Sequence, residues 1–345
     1  MELEKELLKQ KGKEVLKSLI EIYTPSGEEG KAVDVFERIS NWFNLELRKS
    51  SSNSFYLGKG DILLASHLDT IKGFIPSKVT GEEIYGRGAV DAKGPLTSMI
   101  LAGWIMNERG CSVQIAALSD EENKSSGARE LVSSGSKYSH IIVGEPTNTT
   151  HIAIEYRGIL RVGISCKGNP EHSSSSTSNV ILNHIPAILE VSQLPSEYST
   201  PSIVPTVIRG GDSPNVTPDK LYVHFDVRYP HGVTKEEIIS KFARLFPNCE
   251  ISVGESIEPV KVSSSTPIVR YLMRGLIKQG IKPSLVRKAG TSDMNILVSL
   301  TNNIATYGPG DSRLEHTDFE RITLDEIYIA TVTYVNALEE ICLKH

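Results

Sequence analysis

Long apolar runs are missing from this 345-residue sequence. None approaches the roughly 18 residues that a membrane-spanning helix needs, so no span is expected. The amino-terminal Met1-Glu2-Leu3-Glu4-Lys5-Glu6-Leu7-Leu8 mixes charge with apolar residues at helical spacing and does not resemble a signal peptide. A cytoplasmic location is the expectation. Basic charge is also short: 37 Lys and Arg stand against 42 Asp and Glu, a net charge of -5. Nucleic-acid binding usually shows a basic surplus, so that class of partner is not expected. Cysteine is scarce. Cys111, Cys166, Cys249 and Cys342 form no C-x-x-C pair, and their scatter suggests small core residues in a reducing compartment. There is no P-loop, no dinucleotide fingerprint, no arrangement resembling a Ser-His-Asp triad, and no internal repeat. The glycine-rich Gly86–Asp91 run lacks the strand-turn-helix setting of a phosphate loop.

What is present has the composition of a soluble globular protein, 39% hydrophobic and 23% charged, and a length that suggests about two domains. Leu3, Leu7, Leu8, Val15, Leu16, Leu19 and Ile20 predict an amphipathic helix. Ser26 with Glu29 matches a capping box before a second helix that buries Val33, Phe36, Ile39, Trp42 and Phe43. Asp61–Ala65, Ser112–Leu118 and His140–Gly144 are short apolar runs, the pattern of buried strands. Helices are expected between them, one starting near Pro95 and ending at Gly110, the other around Gly127–Val132. Strand and helix alternation of this kind suggests a doubly wound α/β sheet.

The pattern changes after residue 157. Alternation over Leu160–Lys167, a helix over Val180–Val191, strands at Ile203–Arg209 and Leu221–Arg228, a helix opened by Thr234 and Glu237, and a strand at Glu250–Val253 give the order β-α-β-β-α-β. That order is ferredoxin-like. After about residue 260 the α/β character returns, with a helix at Pro267–Gln279, a strand at Asn303–Tyr307 and a last helix capped by Thr323 and Glu326. The expectation is a catalytic domain of residues 1–157 and 262–345, with residues 158–261 inserted as a lid.

Imidazole and carboxylate groups collect at the predicted strand exits. His67 ends the first run, Glu121 and Glu122 follow the second, and Glu145 follows the third. Asp91 lies in a glycine-rich turn and His316 follows the 303–307 strand. Ligands of open α/β sheets bind beyond the carboxyl ends of strands. Taken singly, each residue is ordinary: an isolated histidine, a solvated helix start, a helix cap. Together they offer two imidazoles and three or four carboxylates, a set that suits two cations such as zinc, cobalt or manganese. Paired metals recur in hydrolases, and such chemistry also needs a base that is not a ligand. Of two adjacent glutamates, one can bind metal and the other can face the water.

These strings resemble the M20 family of co-catalytic metallopeptidases, aminoacylases and deacylases. The matching segments are Ser66-His67-Leu68-Asp69-Thr70, Gly86-Arg87-Gly88-Ala89-Val90-Asp91-Ala92-Lys93-Gly94, Asp120-Glu121-Glu122, Gly144-Glu145-Pro146-Thr147, Gly290-Thr291-Ser292-Asp293 and Glu315-His316-Thr317. The resemblance covers essentially the whole chain in order. It implies a phosphorylase/hydrolase-like mixed α/β sheet with an inserted ferredoxin-like α+β lid that also serves dimerisation. It implies that His67, Asp91 and Glu145 hold one metal, and that Asp91, Glu122 and His316 hold the other. Zinc is the first expectation for both ions, with cobalt or manganese as alternatives. Glu121 would be the general base, and Asp69 would orient His67. The peptide after Asp91 would be cis.

In the inserted segment, His172 of Lys167-Gly168-Asn169-Pro170-Glu171-His172 resembles the family histidine that reaches across a dimer to the oxyanion, although Glu171 stands where glycine is usual. Asn215 and Arg228 resemble groups that grip a substrate carboxylate. Asp293 would face a substrate amine, with a turn-forming role as the alternative. The remaining histidines, at 140, 151, 184, 224, 231 and 345, are taken as structural or surface residues.

Within the family, the Gly86–Gly94 run and Glu155-Tyr156-Arg157-Gly158-Ile159-Leu160-Arg161 look most like the branch that releases lysine or ornithine from an amino-group carrier protein. That implies hydrolysis of the amide between a carrier glutamate side chain and the amino acid, in lysine and arginine biosynthesis, by a homodimer or homotetramer. The alternatives are an acetylornithine deacetylase, a succinyl-diaminopimelate desuccinylase, or a dipeptidase or carboxypeptidase. Arg157, Arg161 and Arg287 are candidates for a basic rim that meets an acidic carrier. A catalytically silent binding protein on the same fold would be expected to lose ligands or base, and here all are present.

Overall fold

In the computed structural model, which describes residues 2–342, the apolar run at Ile62 becomes the strand Ile62–His67, every residue of it buried. His345, and the side chain of Leu3, lie outside the described residues. Parallel neighbours flank this strand on both sides, Val113–Leu118 on one and His140–Gly144 on the other. Its two β faces are covered, so these strands carry continuous apolar runs rather than alternation. The sheet extends from Leu47–Lys49 and Phe55–Leu57 at one edge, through these three strands, to Ile304–Thr306 and His151–Tyr156. Ile304–Thr306 is parallel to its neighbour His140–Gly144, whereas the outer strands are antiparallel, so the sheet is mixed.

The chain divides into two compact units. The first comprises residues up to Ile154, Val262–Val286 and everything from Ser292 on; the second comprises Glu155–Lys261 and Arg287–Thr291. In the first unit, helix Lys93–Glu108 is buried around nearly its whole circumference, packed between the sheet and the helices Glu2–Glu21 and Leu324–Cys342. A helix that is apolar all round belongs in a core. Pro95 falls at its third position, and Gly110, with φ of 81°, turns the chain just beyond it. A small sheet of Lys78–Thr80, Glu83–Tyr85 and Arg321–Thr323 ties the passage before Asp91 to the chain just beyond His316. Among the described residues, no helix is long and apolar enough to cross a membrane.

The second unit is a four-stranded antiparallel sheet in the order Ser202–Arg209, Lys220–Tyr229, Gly158–Lys167, Glu250–Ile257. Helices Val180–Val191 and Lys235–Leu245 complete the ferredoxin-like order. Alternate residues of the two central strands, Leu160, Val162, Ile164, Val223, Phe225 and Val227, meet Ile188, Phe242 and Phe246 of the helical side in one apolar cluster.

Two sequence expectations fail here. The Ser26/Glu29 pattern makes no capping box, because both side chains turn inward to other partners; the same pattern at Thr234/Glu237 and Thr323/Glu326 does form reciprocal bonds. The cysteines are not free thiols. Cys111 pairs with Cys342 and Cys166 with Cys249, across Cα–Cα distances of 5.9 and 4.4 Å. The partners are 231 and 83 residues apart, so only the tertiary fold brings them together.

Glu130, on helix Ser126–Ser133, gathers the 50–52 turn through four donors: Ser50 Oγ at 2.8 Å, Ser51 N at 3.1 Å, Ser51 Oγ at 2.6 Å and Ser52 N at 2.9 Å. Burial alone would raise its carboxyl, but these donors hold it down at about 2. A depressed carboxyl stabilises the fold above its ordinary value of 4.5, and that contribution fades as pH falls through about 2. Glu130→Gln in metal-free protein should therefore melt below wild type at pH 7, with the gap closing toward pH 2. Thermal unfolding followed by circular dichroism across that range checks this, and a gap independent of pH would refute it.

Candidate metal centre

The parallel strands all point their carboxyl ends to one edge, and the polar residues sit just past that edge. His67 is the last residue of its strand, Glu121 and Glu122 follow Leu118 within four residues, and Glu145 follows Gly144 directly. From Ile62–His67 the chain crosses to one side, then returns to build the strand on the other side. Such a reversal opens a crevice at the carboxyl edge. Asp91 enters the crevice from the turn before helix Lys93–Glu108, joined to Ala92 by a cis peptide. His316 enters from the loop after Ile304–Thr306, with φ of 62°, an uncommon conformation for a residue with a side chain.

The two oxygens of Asp91 face different histidines. Oδ1 is 3.0 Å from His67 Nε2, and Oδ2 is 3.2 Å from His316 Nε2. His67 Nε2 also lies 3.8 Å from Glu145 Oε2, and His316 Nε2 lies 2.9 Å from Glu122 Oε1. All five expected ligands are thus brought into two donor clusters that share one carboxylate. Zinc bonds of ~2.0–2.2 Å at tetrahedral angles separate neighbouring ligand atoms by roughly 3.3 Å, and the observed separations bracket that value.

Several groups that position these donors escaped sequence reasoning. Glu320 is buried and its Oε1 accepts from the backbone N–H of Val90 at 3.0 Å and of Asp91 at 2.9 Å. Arg87 donates to Glu320 Oε2 at 3.1 Å, to Gly73 O at 2.9 Å and to Thr317 O at 3.0 Å. One ion pair thus fixes the Asp91 turn against the His316 loop. Gly88, with φ of 85°, allows the turn: a Cβ there would lie 2.9 Å from Lys93 and 3.0 Å from Thr70 side-chain carbons. Gly308 passes so close to Glu145 that a Cβ would sit 2.5 Å from its carbonyl oxygen. Thr147 Oγ1 closes that approach by accepting from Gly308 N at 3.0 Å.

Asp69 differs from its expected role in one respect. His67 Nδ1–H donates to the backbone carbonyl of Asp69 at 2.9 Å, while the carboxylate stays 3.6 Å away. That donation leaves Nε2 for the donor cluster. The carboxylate instead accepts from Glu121 N at 3.0 Å, Glu122 N at 3.1 Å and Ser26 Oγ at 2.7 Å. Glu29, the other half of the failed capping box, accepts from Asp120 N at 2.9 Å. Asp69 and Glu29 together hold the Asp120–Glu122 turn, in which Asp120 has φ of 64°.

Electrostatics point to cations. Burial, then the charge of Glu145, pushes the Glu121 carboxyl well above its ordinary range. Burial raises Glu145 as well, with Asp91 and Asp293 adding to the shift. Burial works against His67 carrying charge, yet Glu145, Asp69 and Asp91 raise its imidazole well above 6.5. Hydrogen bonds to Asp91 and Glu122 raise His316 to about 10. Glu145 Oε1 and both oxygens of Asp293 are buried without a hydrogen-bond partner. An unmatched excess of buried carboxylate is costly, and two divalent ions would balance it, with oxygen and nitrogen donors suited to zinc, manganese or cobalt.

The remaining expected residues lie as follows. Asp293 is buried, caps nothing with its side chain, and is pushed up to about 7 by burial. In the second unit His172 is exposed. Its Nδ1 lies 2.8 Å from Ser174 Oγ and accepts from Ser174 N at 3.3 Å, which leaves the ring proton on Nε2. Its backbone pairs with Val216, beside Asn215, whose carbonyl accepts from Ser173 N at 2.9 Å. Glu171, the departure from the family's glycine, folds back to accept from Thr177 N at 2.6 Å. Arg228 is half-buried, with Nε donating to Asp226 at 3.0 Å. The expected arginine rim is not built. Arg157 is buried and donates to Glu197 O at 2.6 Å, Arg161 pairs with Asp226 and Glu255, and Arg287 stacks over Tyr198. The guanidiniums of Arg157 and Arg161 are taken up by local partners, while Arg287 stays exposed.

A family model described as peptidase family M20/M25/M40 matches residues 63–340. A LysW-lysine/LysW-ornithine hydrolase from Sulfurisphaera tokodaii is 57% identical over 344 residues, which is 100% of this chain and 99% of that protein. Among solved structures, aminopeptidase PepT from Bacillus cereus superposes with a TM-score of 0.84 at 17% identity, covering 97% of this chain and 99% of that one. A Bacillus subtilis protein described as a dinuclear metal-binding peptidase superposes with a TM-score of 0.76 at 15% identity, covering 98% and 99%. Both structures share the fold.

Glu320→Gln tests the clamp. It keeps the side-chain shape but loses the charge that holds two backbone N–H groups and Arg87. Metal affinity, measured by competition with a chelator, should fall by about 10–100-fold. An unchanged affinity would show that the turn does not depend on Glu320.

Proposed function

The chain belongs to peptidase family M20/M25/M40, and from that premise we propose that this metal-dependent amidohydrolase releases lysine, ornithine or both from an amino-group carrier protein. The bond cut is the amide between a carrier glutamate side chain and the amino acid. The observation that carries the reading is the pair of donor clusters sharing Asp91, with Glu121 beside them as a carboxyl that neither histidine engages. The full-length likeness to a LysW-lysine/LysW-ornithine hydrolase supports the substrate. The site residues proposed for the metals are His67, Asp91 and Glu145 for one ion and Asp91, Glu122 and His316 for the other. Zinc is the proposed ion, and cobalt and manganese suit the same donors. The cytoplasm is the proposed compartment, where biosynthesis would supply the loaded carrier.

His67, Asp91 and Glu145 would hold one divalent ion and Asp91, Glu122 and His316 the other, and such ions would supply Lewis acidity to the amide carbonyl and make water acidic enough to lose a proton near neutral pH. Glu121 takes that proton and returns it to the leaving amine, so one water is consumed and a carboxylate and an amine are released. Asp69 sets where Glu121 stands, through its grip on the Glu121 and Glu122 N–H groups. Asp293 is proposed to face a cationic group of the released amino acid, and Arg228 and Asn215 its carboxylate. His172 is proposed to stabilise the oxyanion through Nε2–H across a homodimer; the tautomer set by Ser174 supports that donor.

The proposed lid, residues 158–261, also offers a surface for dimerisation. On helix Val180–Val191, Leu182, Ile185 and Leu189 are exposed at spacings of three and four, so they form one stripe. A surface stripe of this kind is a common mark of association.

Glu121→Gln should lower kcat on carrier-linked lysine by about 10²–10⁴-fold while metal content stays at the wild-type value. Wild-type turnover by this variant would overturn the role of Glu121. Failure of the wild type on carrier-linked lysine and ornithine, with activity on acetylated or succinylated amino acids, would overturn the substrate. The double variant Leu182→Asp/Leu189→Asp should elute at half the native mass in size-exclusion chromatography with light scattering; an unchanged mass would rule out this face.

A further inference from the structure

The second unit brings another set of residues of ligand type together, none of them shared with the metal centre. Cys166 lies on the central strand Gly158–Lys167, Cys249 stands just before the neighbouring strand Glu250–Ile257, and His184 is on helix Val180–Val191. One ligand atom from each lies within 4.8 Å of the other two. The imidazole is set for this cluster. Its Nδ1–H donates to Val180 O at 2.7 Å, so Nε2 presents a lone pair, 3.3 Å from Cys249 Sγ. The ring lies nearly parallel to Phe246, with an angle of 7° between planes. A disulfide sulfur has no proton to give that lone pair, so the oxidised pair leaves it unused. A histidine whose second nitrogen is anchored to a carbonyl is the usual form of a metal ligand.

We propose that the second unit holds a redox-gated cation site, in which the thiolates of Cys166 and Cys249 and Nε2 of His184 bind a soft divalent ion such as zinc. Zinc–sulfur bonds of ~2.3 Å and zinc–nitrogen bonds of ~2.0–2.1 Å at tetrahedral angles put nitrogen and sulfur roughly 3.6 Å apart, close to the spacing already present. The two sulfurs must separate, which needs the disulfide opened. A dithiol supplies two electrons and two protons: the S–S bond breaks, two thiols form, and the dithiol closes to its own disulfide. Ion entry then releases both thiol protons to solvent. Cys249 and His184 are half-buried rather than sealed, so water can fill the fourth position. Cys111 and Cys342 have no histidine beside them in such a cluster among the described residues, and are not assigned this role.

The full chain, reduced with a phosphine that does not itself bind the ion, is titrated with cobalt(II). The ligands assigned to the catalytic centre include no sulfur, so a thiolate-to-cobalt charge-transfer band in the near ultraviolet reports the second site alone. We expect that band in reduced wild type, its absence from oxidised wild type, and one more bound ion per chain after reduction. It should persist in Cys111→Ser, vanish in Cys249→Ser, and require at least about tenfold more cobalt in His184→Ala; the last variant keeps the test open if removing a cysteine prevents folding. Reduced wild type with both thiols titratable and no band would overturn the proposal, as would a band that survives His184→Ala at unchanged affinity.

Discussion

Everything at the carboxyl edge of the sheet turns on Asp91 facing two ways. One of its oxygens meets His67 and the other meets His316, so the two donor clusters cannot be separated or rotated independently. A carboxylate can hold that posture only if its backbone is immobile, because a small rotation would favour one cluster over the other. Glu320 removes that freedom by accepting both the Asp91 and Val90 N–H groups, and Arg87 neutralises Glu320 while gripping the carbonyls on either side. The clamp is itself buried, where charge-assisted hydrogen bonds are strongest and the loss of one partner is most costly.

Asp69 imposes the same discipline on the pair of glutamates. Its carboxylate binds two consecutive N–H groups, and so fixes the Glu121 and Glu122 backbones as one rigid step. One of those side chains reaches His316 while the other does not. The two carboxyls are thus sent to different places by the alternation of adjacent residues rather than by separate elements. Ser26 and Glu29 reinforce the arrangement from a segment nearly a hundred residues earlier, Glu29 bonding to Asp120 across 91 positions.

The residues of the two donor clusters were legible because each stands in a short contiguous string, with His67, Glu122 and Glu145 at the exits of apolar runs, and strand exits share one edge of a parallel sheet. The ferredoxin-like order was legible for a related reason, since alternation over Leu160–Lys167 and Leu221–Arg228 marks half-buried strands. What stayed hidden has long range. Glu320 bonds to Asp91 across 229 positions, and nothing local distinguishes it from a surface glutamate. The three-residue strands that tie these loops together are too short for any periodicity. Ser26 and Glu29 misled because spacing alone cannot distinguish a capping box from two residues that turn toward a core. The arginines misled in the same way: Arg157 carries the charge of a rim residue, but burial against Tyr198 and Glu197 decides its role. Cysteine pairing depends on proximity that scatter along the chain does not record.

The late arrival of His316 and Glu320 also sets a clock. His316 is added 225 positions after Asp91 (316 − 91), and the whole second unit lies in that interval. At ~5–20 residues per second on the ribosome, that interval lasts roughly 11–45 s. Glu121, Glu122 and Glu145 join His67 and Asp91 within its first 54 residues (145 − 91), but the second imidazole and the glutamate that steadies Asp91 arrive only at its end and just after it. For most of that interval one donor cluster therefore lacks its imidazole, and synthesis itself delays completion of the paired clusters until His316 and Glu320 have been added.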